Sequence, residues 1–170
     1  DTFRKSPAKE IVCPYTGDKL LAIPALYPDV GVIHVHEADR FGNCRIRGTT
    51  AADPDLARAS KKLIVTCERL IPNDDIRKDP KRTVIPFYCV DAVCEGPFGS
   101  YPGNMPYEYF SDEDHIRHWL EIENDPAEYK RFIDQYIYGV ADFNEYLHLC
   151  GGLPLMQQLR QEEFLLNRGK

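Results

Sequence analysis

The densest run of residues able to do chemistry is His34-Val35-His36-Glu37-Ala38-Asp39-Arg40, directly after the apolar residues 30–33. Strand alternation places His34 and His36 on one face and Val35 and Glu37 on the other. His-x-His beside a carboxylate fits three chemistries: a metal pair, a base with its orienting acid, or the polar end of a strand. In the last case Asp39-Arg40-Phe41-Gly42-Asn43 is a turn that closes the strand. Ligands of open α/β sheets collect beyond the carboxyl ends of strands, and the run falls there. His34, His36 and Glu37 are therefore candidate substrate contacts. Glu37 is the one candidate for an acid–base role, and the catalytic residue is otherwise unassigned.

A second cluster follows the apolar residues 87–94, where Glu95-Gly96-Pro97-Phe98-Gly99-Ser100-Tyr101-Pro102-Gly103 forms a loop dense in Gly and Pro. Glycines after a strand let backbone N–H groups approach a ligand closely. Phe98, Gly99 and Ser100 are the candidate contacts, and a plain long turn is the competing reading. No dinucleotide fingerprint or Walker loop is present, and no Gly-x-Ser-x-Gly elbow. The six cysteines, at 13, 44, 67, 89, 94 and 150, read as free buried thiols of a reducing cytoplasm. Cys89 and Cys94 have no second pair to complete a zinc site, so no metal is expected.

Short runs rich in β-branched residues position these clusters: 20–23, 30–36, 63–67 and 87–94, each bounded by Pro, Gly, Asp or Asn. Nearly continuous hydrophobicity over so few residues predicts strands covered on both faces. Between the second and third runs, Asp53 can cap a helix, with Pro54 in its first turn and Lys61 and Lys62 at its negative end. Strand, helix, strand at this distance is a βαβ unit with parallel strands, so the first part of the chain is α/β. From residue 111 the pattern turns helical. Ser111 is placed to cap one helix, Asp125-Pro126-Ala127-Glu128 reads as a capping box for the next, and Gly139 stops it. Two further helices follow, over 142–149 and 153–166. Their aromatic stripes are packing surface. The resulting division is an α/β domain over 1–110 and a helical tail over 111–170, packed on that domain or on a partner subunit.

Net charge is -6, with 43% hydrophobic and 28% charged residues, an ordinary globular balance. No basic cluster in the sequence is longer than Lys61-Lys62 or Lys81-Arg82. That leaves no footprint for sequence-independent nucleic-acid binding. No apolar run approaches the roughly 20 residues that cross a bilayer. Nothing near Asp1 has the pattern of a secretory signal, and a cytoplasmic protein is expected.

The order of the motifs carries a resemblance. Cys13-Pro14-Tyr15-Thr16-Gly17-Asp18-Lys19-Leu20 is similar to a segment of glutaconate CoA-transferase A subunits, members of the class I CoA-transferase family. Residues 23–30, Ile33-His34, Ala38-Asp39-Arg40-Phe41-Gly42-Asn43, Ile64-Val65-Thr66-Cys67-Glu68, residues 76–80, Ile85-Pro86, residues 90–93 and the loop at 96–102 follow in the family's order. The resemblance implies an α/β fold with an open, mostly parallel sheet and a C-terminal helical extension. It implies covalent transfer of CoA between carboxylic acids through a glutamyl-CoA thioester, the glutamate lying on a second, B-type subunit. The substrate would be a CoA thioester, with no permanently bound cofactor and no metal. The partners would be that B-type subunit, in a hetero-oligomer such as a heterotetramer, and the N-terminal half of the family's A-type subunit, which this chain lacks. A fragment, a cleavage product or a split subunit is the expectation. Two departures stand out: Ser100-Tyr101 where the family has Ala-His, and His36-Glu37 where glutaconate enzymes carry amides. They leave open hydrolysis or decarboxylation of a cyclic or glutaconyl-type CoA ester, and a non-catalytic structural role.

Overall fold

A computed structural model describes residues 5–168. The chain begins with a hairpin of β1 (Lys9–Val12) and β2 (Lys19–Ala22), paired antiparallel around the turn at 13–18. The Cys13 N–H donates to Asp18 O at 2.8 Å, and Gly17 holds the positive φ (79°) that the turn demands. This hairpin is a sheet of its own with largely exposed side chains. The apolar run at 20–23 therefore pairs locally, through its turn, and is not a covered strand of the main sheet.

The main sheet has four strands in the order β4-β3-β5-β6: β3 (Gly31–Ala38), β4 (Cys44–Arg45), β5 (Leu63–Leu70) and β6 (Ala92–Glu95). β3 and β5 are parallel, as are β5 and β6, and only the short β4 runs antiparallel to β3. The fold is thus the mixed α/β class, with a mostly parallel sheet. The predicted βαβ unit is present, with α1 (Asp53–Ala59) between β3 and β5. Its N-cap is Ala52, without a side-chain cap, so Asp53 lies inside the first turn and faces the positive helix end as a charge only.

Three further expectations are corrected. β3 runs on to Ala38, so His34, His36 and Glu37 lie within the strand and not beyond it. The run 87–94 breaks into a 3₁₀ turn, Phe87–Cys89, and the mostly exposed edge strand β6. Coverage of the central strands is also uneven. Ile33, Val35, Leu63, Val65 and Cys67 pack with Ala57 of α1, Cys44 and Ile85 in one buried cluster. On the opposite face Val32 and Ile64 remain 62% and 38% exposed, while His36 and Glu68 further along are buried.

That second face is covered by residues 98–109. Tyr101, Met105 and Tyr109 form a second buried cluster with Met156 and Leu159 of the last helix, α6 (Gly152–Arg168). The short α2 (Asn73–Lys78) follows β5, and α3 (Glu113–Ile122), α4 (Pro126–Ile133) and α5 (Phe143–Leu149) stand between the 98–109 segment and α6. Asp112, not Ser111, caps α3, its carboxylate accepting from the His115 N–H at 3.0 Å. Asp125 caps α4 through the Ala127 and Glu128 N–H groups. A π-helical turn, Asp134–Tyr138, continues α4 to Gly139. The aromatic stripes meet one another, with Phe132 and Tyr136 centroids 4.6 Å apart and Tyr101 and Tyr146 5.9 Å apart. Trp119, partly exposed on α3, lines a small cavity of about 230 Å³ with His115, Phe132 and Tyr146.

Candidate functional site

Parallel pairing sets His34 directly beside Thr66, and strand alternation returns Glu68 to the same face. The ring of His34 spans both neighbours: Nδ1 lies 2.8 Å from Thr66 Oγ1 and Nε2 lies 2.8 Å from Glu68 Oε1. Glu68 is buried, a costly place for a carboxylate unless it is fully hydrogen-bonded. Here it is. Besides His34, the Phe98 N–H donates to both carboxylate oxygens at 3.0 and 3.1 Å, and Tyr109 OH donates to Oε1 at 2.8 Å. Burial pushes the Glu68 carboxyl up, but the donors from His34, Phe98 and Tyr109 outweigh it and hold it below the ordinary value. Burial and the adjacent Glu68 charge raise the Tyr109 hydroxyl, which stays a neutral donor.

The loop at 98–100 is tied to this carboxylate by its backbone. Phe98 adopts a positive φ of 65°, which aims its N–H at Glu68, and the Ser100 N–H donates to Tyr109 Oη at 2.9 Å. Gly99 lies flat on the His34 ring, where a Cβ would come within 2.5 Å of Cε1 and 2.6 Å of Nδ1. Only glycine fits. The Phe98 ring packs against Tyr109, 4.9 Å away, and under the Arg160 guanidinium at 4.5 Å. On its other side the loop borders an open cleft of about 450 Å³, walled by Leu147, Leu153 and Met156.

The remaining candidates separate from this group. His36 is buried, accepts at Nδ1 from the Arg47 N–H at 3.0 Å and bonds Pro106 O through Nε2 at 2.8 Å. Those partners fix the Nε2–H tautomer, and burial lowers its pKa, so the ring is a neutral brace between β3 and the 98–109 segment. Because His34 and His36 serve different partners, they do not form a metal pair. Among the described residues no group of three or more His, Cys, Asp or Glu side chains is arranged to hold a metal. Glu37 joins an ion network instead, 3.5 Å from Arg45 and 3.6 Å from Arg69, while Arg69 grips Glu108 with both terminal nitrogens at 2.8 and 3.0 Å.

Asp39 closes the predicted turn by accepting from the Phe41 and Asn43 N–H groups and from the Asn43 and Asn73 amides. Tyr101 points into the helical layer and donates to Asp112 at 2.7 Å. None of the six cysteines is in a disulfide, and of the thiols expected to be buried only Cys44 and Cys67 are fully so, with Cys13, Cys89 and Cys150 partly covered and Cys94 exposed.

The comparisons agree with this architecture. The Coenzyme A transferase family model matches residues 4–96, more than half of the chain. The chain belongs to the coenzyme A transferase family. It is 38% identical, over 138 residues, to the A subunit of 3-oxoadipate CoA-transferase from Pseudomonas knackmussii, covering 81% of this chain and 48% of that protein. Glutaconate coenzyme A-transferase from Acidaminococcus fermentans superimposes with a TM-score of 0.79 at 34% identity, over 85% of this chain and 46% of that one. The AibA/AibB decarboxylase matches with a TM-score of 0.60 at 26% identity, over 78% of this chain and 48% of that one. This chain spans 38% to 48% of the length of the curated relatives it matches.

Proposed function

We propose that the chain contributes the acid-binding side of a heteromeric enzyme that moves CoA between carboxylic acids. One observation carries the reading: the His34–Thr66–Glu68 group, at the middle of two parallel strands, lies under a glycine-tight loop in a CoA-transferase chain. His34 keeps slight solvent access, with 11% of its side chain exposed against 1% for Glu68. Glu68, with its oxygens already taken by three donors, is a poor nucleophile and acts as an anchor for His34 and the loop. A thioester-forming glutamate then belongs to a B-type partner, with the apolar cleft beside Phe98 open to an acyl chain. In this reading residues 1–110 are the α/β domain and the tail beyond 111 packs on it, which Met156 and Leu159 support through their contacts with Tyr101 and Tyr109. A CoA thioester is substrate, with no resident cofactor, in the cytoplasm. Decarboxylation of an acyl-CoA is the second reading, favoured by the AibA/AibB match.

The test is made on the native assembly purified with this chain. Incubation with an acyl-CoA donor and a series of carboxylic acids should produce new acyl-CoA and a hydroxylamine-sensitive CoA adduct on the partner. Release of CO2 with no acceptor acid would replace transfer by decarboxylation. Release of free CoA alone would replace it by hydrolysis.

A further inference from the structure

The sequence holds no basic run longer than two residues, yet folding gathers one. Arg45 and Arg47 follow β3 across a tight turn, and Lys81 and Arg82 lie on a 3₁₀ turn almost forty residues later. A backbone bridge joins the two segments: the Cys44 N–H donates to Ile85 O at 2.8 Å and the Val84 N–H to Cys44 O at 2.9 Å. The four cations then line one open cleft of about 490 Å³, floored by Ile46, Val84 and Gly48 and walled by Tyr107. Gly48 has a φ of 84° and lies against the Tyr107 ring, so the floor depends on that glycine.

Charge in this cleft is only partly compensated. The carboxylates that reach it are Glu37 and Glu108, and they also serve Arg69. Glu163 is behind the wall, accepting from the Tyr107 N–H. Arg45 spends one terminal nitrogen on the Asp75 and Asp79 carbonyls, and the Nε donors of Arg45 and Arg47 are buried without an acceptor. No ion pair holds Lys81 or Arg82 among the described residues, and both are exposed. Burial and the nearby Arg69 charge lower the pKa of Arg47, the sign of a crowded positive site. A concave site of four cations in a chain of net charge -6 concentrates anions. Flexible Lys and forked Arg together match phosphate oxygens.

We propose that the Arg45–Arg47–Lys81–Arg82 cleft binds a phosphate-bearing anion. Its source is either the nucleotide end of a CoA ester or a free inorganic polyphosphate. The first source rests on the transferase reading above, whereas the anion site itself does not. The test is calorimetric titration of the full chain with inorganic pyrophosphate, adenosine 3′,5′-bisphosphate and CoA. The comparison protein is Lys81→Glu/Arg82→Glu, whose altered side chains are exposed and hold no ion pair. Far-UV circular dichroism checks that its fold is intact. Lys61→Glu, beyond the end of α1, is the control. Pyrophosphate binding that weakens tenfold or more in the double variant, weakens with added salt and is unchanged in the control supports the cleft. Displacement of pyrophosphate by CoA assigns the nucleotide source, and pyrophosphate binding that CoA does not displace assigns the free anion. Absence of pyrophosphate binding, or equal binding by the double variant, overturns the proposal without touching the transferase reading, which is judged by CoA transfer.

Discussion

The packing of Gly99 on His34 sets the tightest condition at the scale of single residues. In Gly99→Ala the new methyl has no place short of the imidazole, so the ring must leave Thr66 or the loop must lift from Glu68. Overpacking of this kind costs about 1–3 kcal/mol. The expected result is a lower unfolding midpoint together with altered ¹⁵N shifts of the His34 ring; an unshifted ring would mean that the loop, not the histidine, gives way. The protonation of Glu68 and His36 supplies a second prediction. Both are held below their ordinary values of 4.5 and 6.5, so the unfolded chain takes up more protons than the folded one as pH falls through each. Stability is therefore full above about pH 6.5, drops first as the unfolded His36 protonates, and drops again below about 4.5. Denaturant midpoints measured from pH 7.5 to 3.5 check this. Glu68→Gln, which sets an amide N–H against one of the present donors, should cost about 1–3 kcal/mol at pH 7 and flatten the lower limb. An unchanged acid limb in that variant would place the titration elsewhere.

At the scale of elements, α6 holds the roof over the site, for Met156 and Leu159 fill the cluster around Tyr101 and Tyr109, and Leu159 O accepts from the Phe110 N–H. Leu159→Ala should cost about 2–5 kcal/mol, as large-to-small changes in a core do. Because β3 and β5 rest on the other cluster, hydrogen exchange should speed up over residues 98–110 while Ile33, Val35 and Val65 stay protected. Uniform acceleration across both clusters would show one cooperative core in place of two layers. These elements are legible to different degrees. β3, α1 and β5 can be read because β-branched runs and an Asp-Pro helix start are local signals. The hairpin's separation from the main sheet cannot, since pairing partners are not encoded in the period of a strand. Glu68 lies in a motif that is easily read, yet its role is not legible, because a carboxylate is common and its partner is 34 residues away. The bond from the Phe98 N–H to Glu68 is hidden for another reason, since a positive φ at a bulky residue leaves no mark in sequence. The four-cation cleft arises only from the bridge between Cys44 and Ile85.

For the molecule as a whole, the cysteines form a graded set of reporters. Burial pushes the Cys44 thiol up to about 12 and the Cys67 thiol to about 11, whereas Cys94 is exposed and Cys13 is lowered by its bonds to Thr16. The thiolate is the reactive form. An aromatic disulfide reagent at pH 7.5 should therefore modify Cys13 and Cys94 in the folded protein, and Cys44 and Cys67 only as fast as the sheet opens. Mass mapping of early and late products checks the order, and early labelling of Cys67 would contradict the burial of β5. A different consequence follows from where the single indole lies. Trp119 is on α3, in the helical layer beside His115 and Phe132. Its emission is thus a window on the helical end of the protein, and a fluorescence melt would time the loosening of that end while the strands of the candidate site went unobserved.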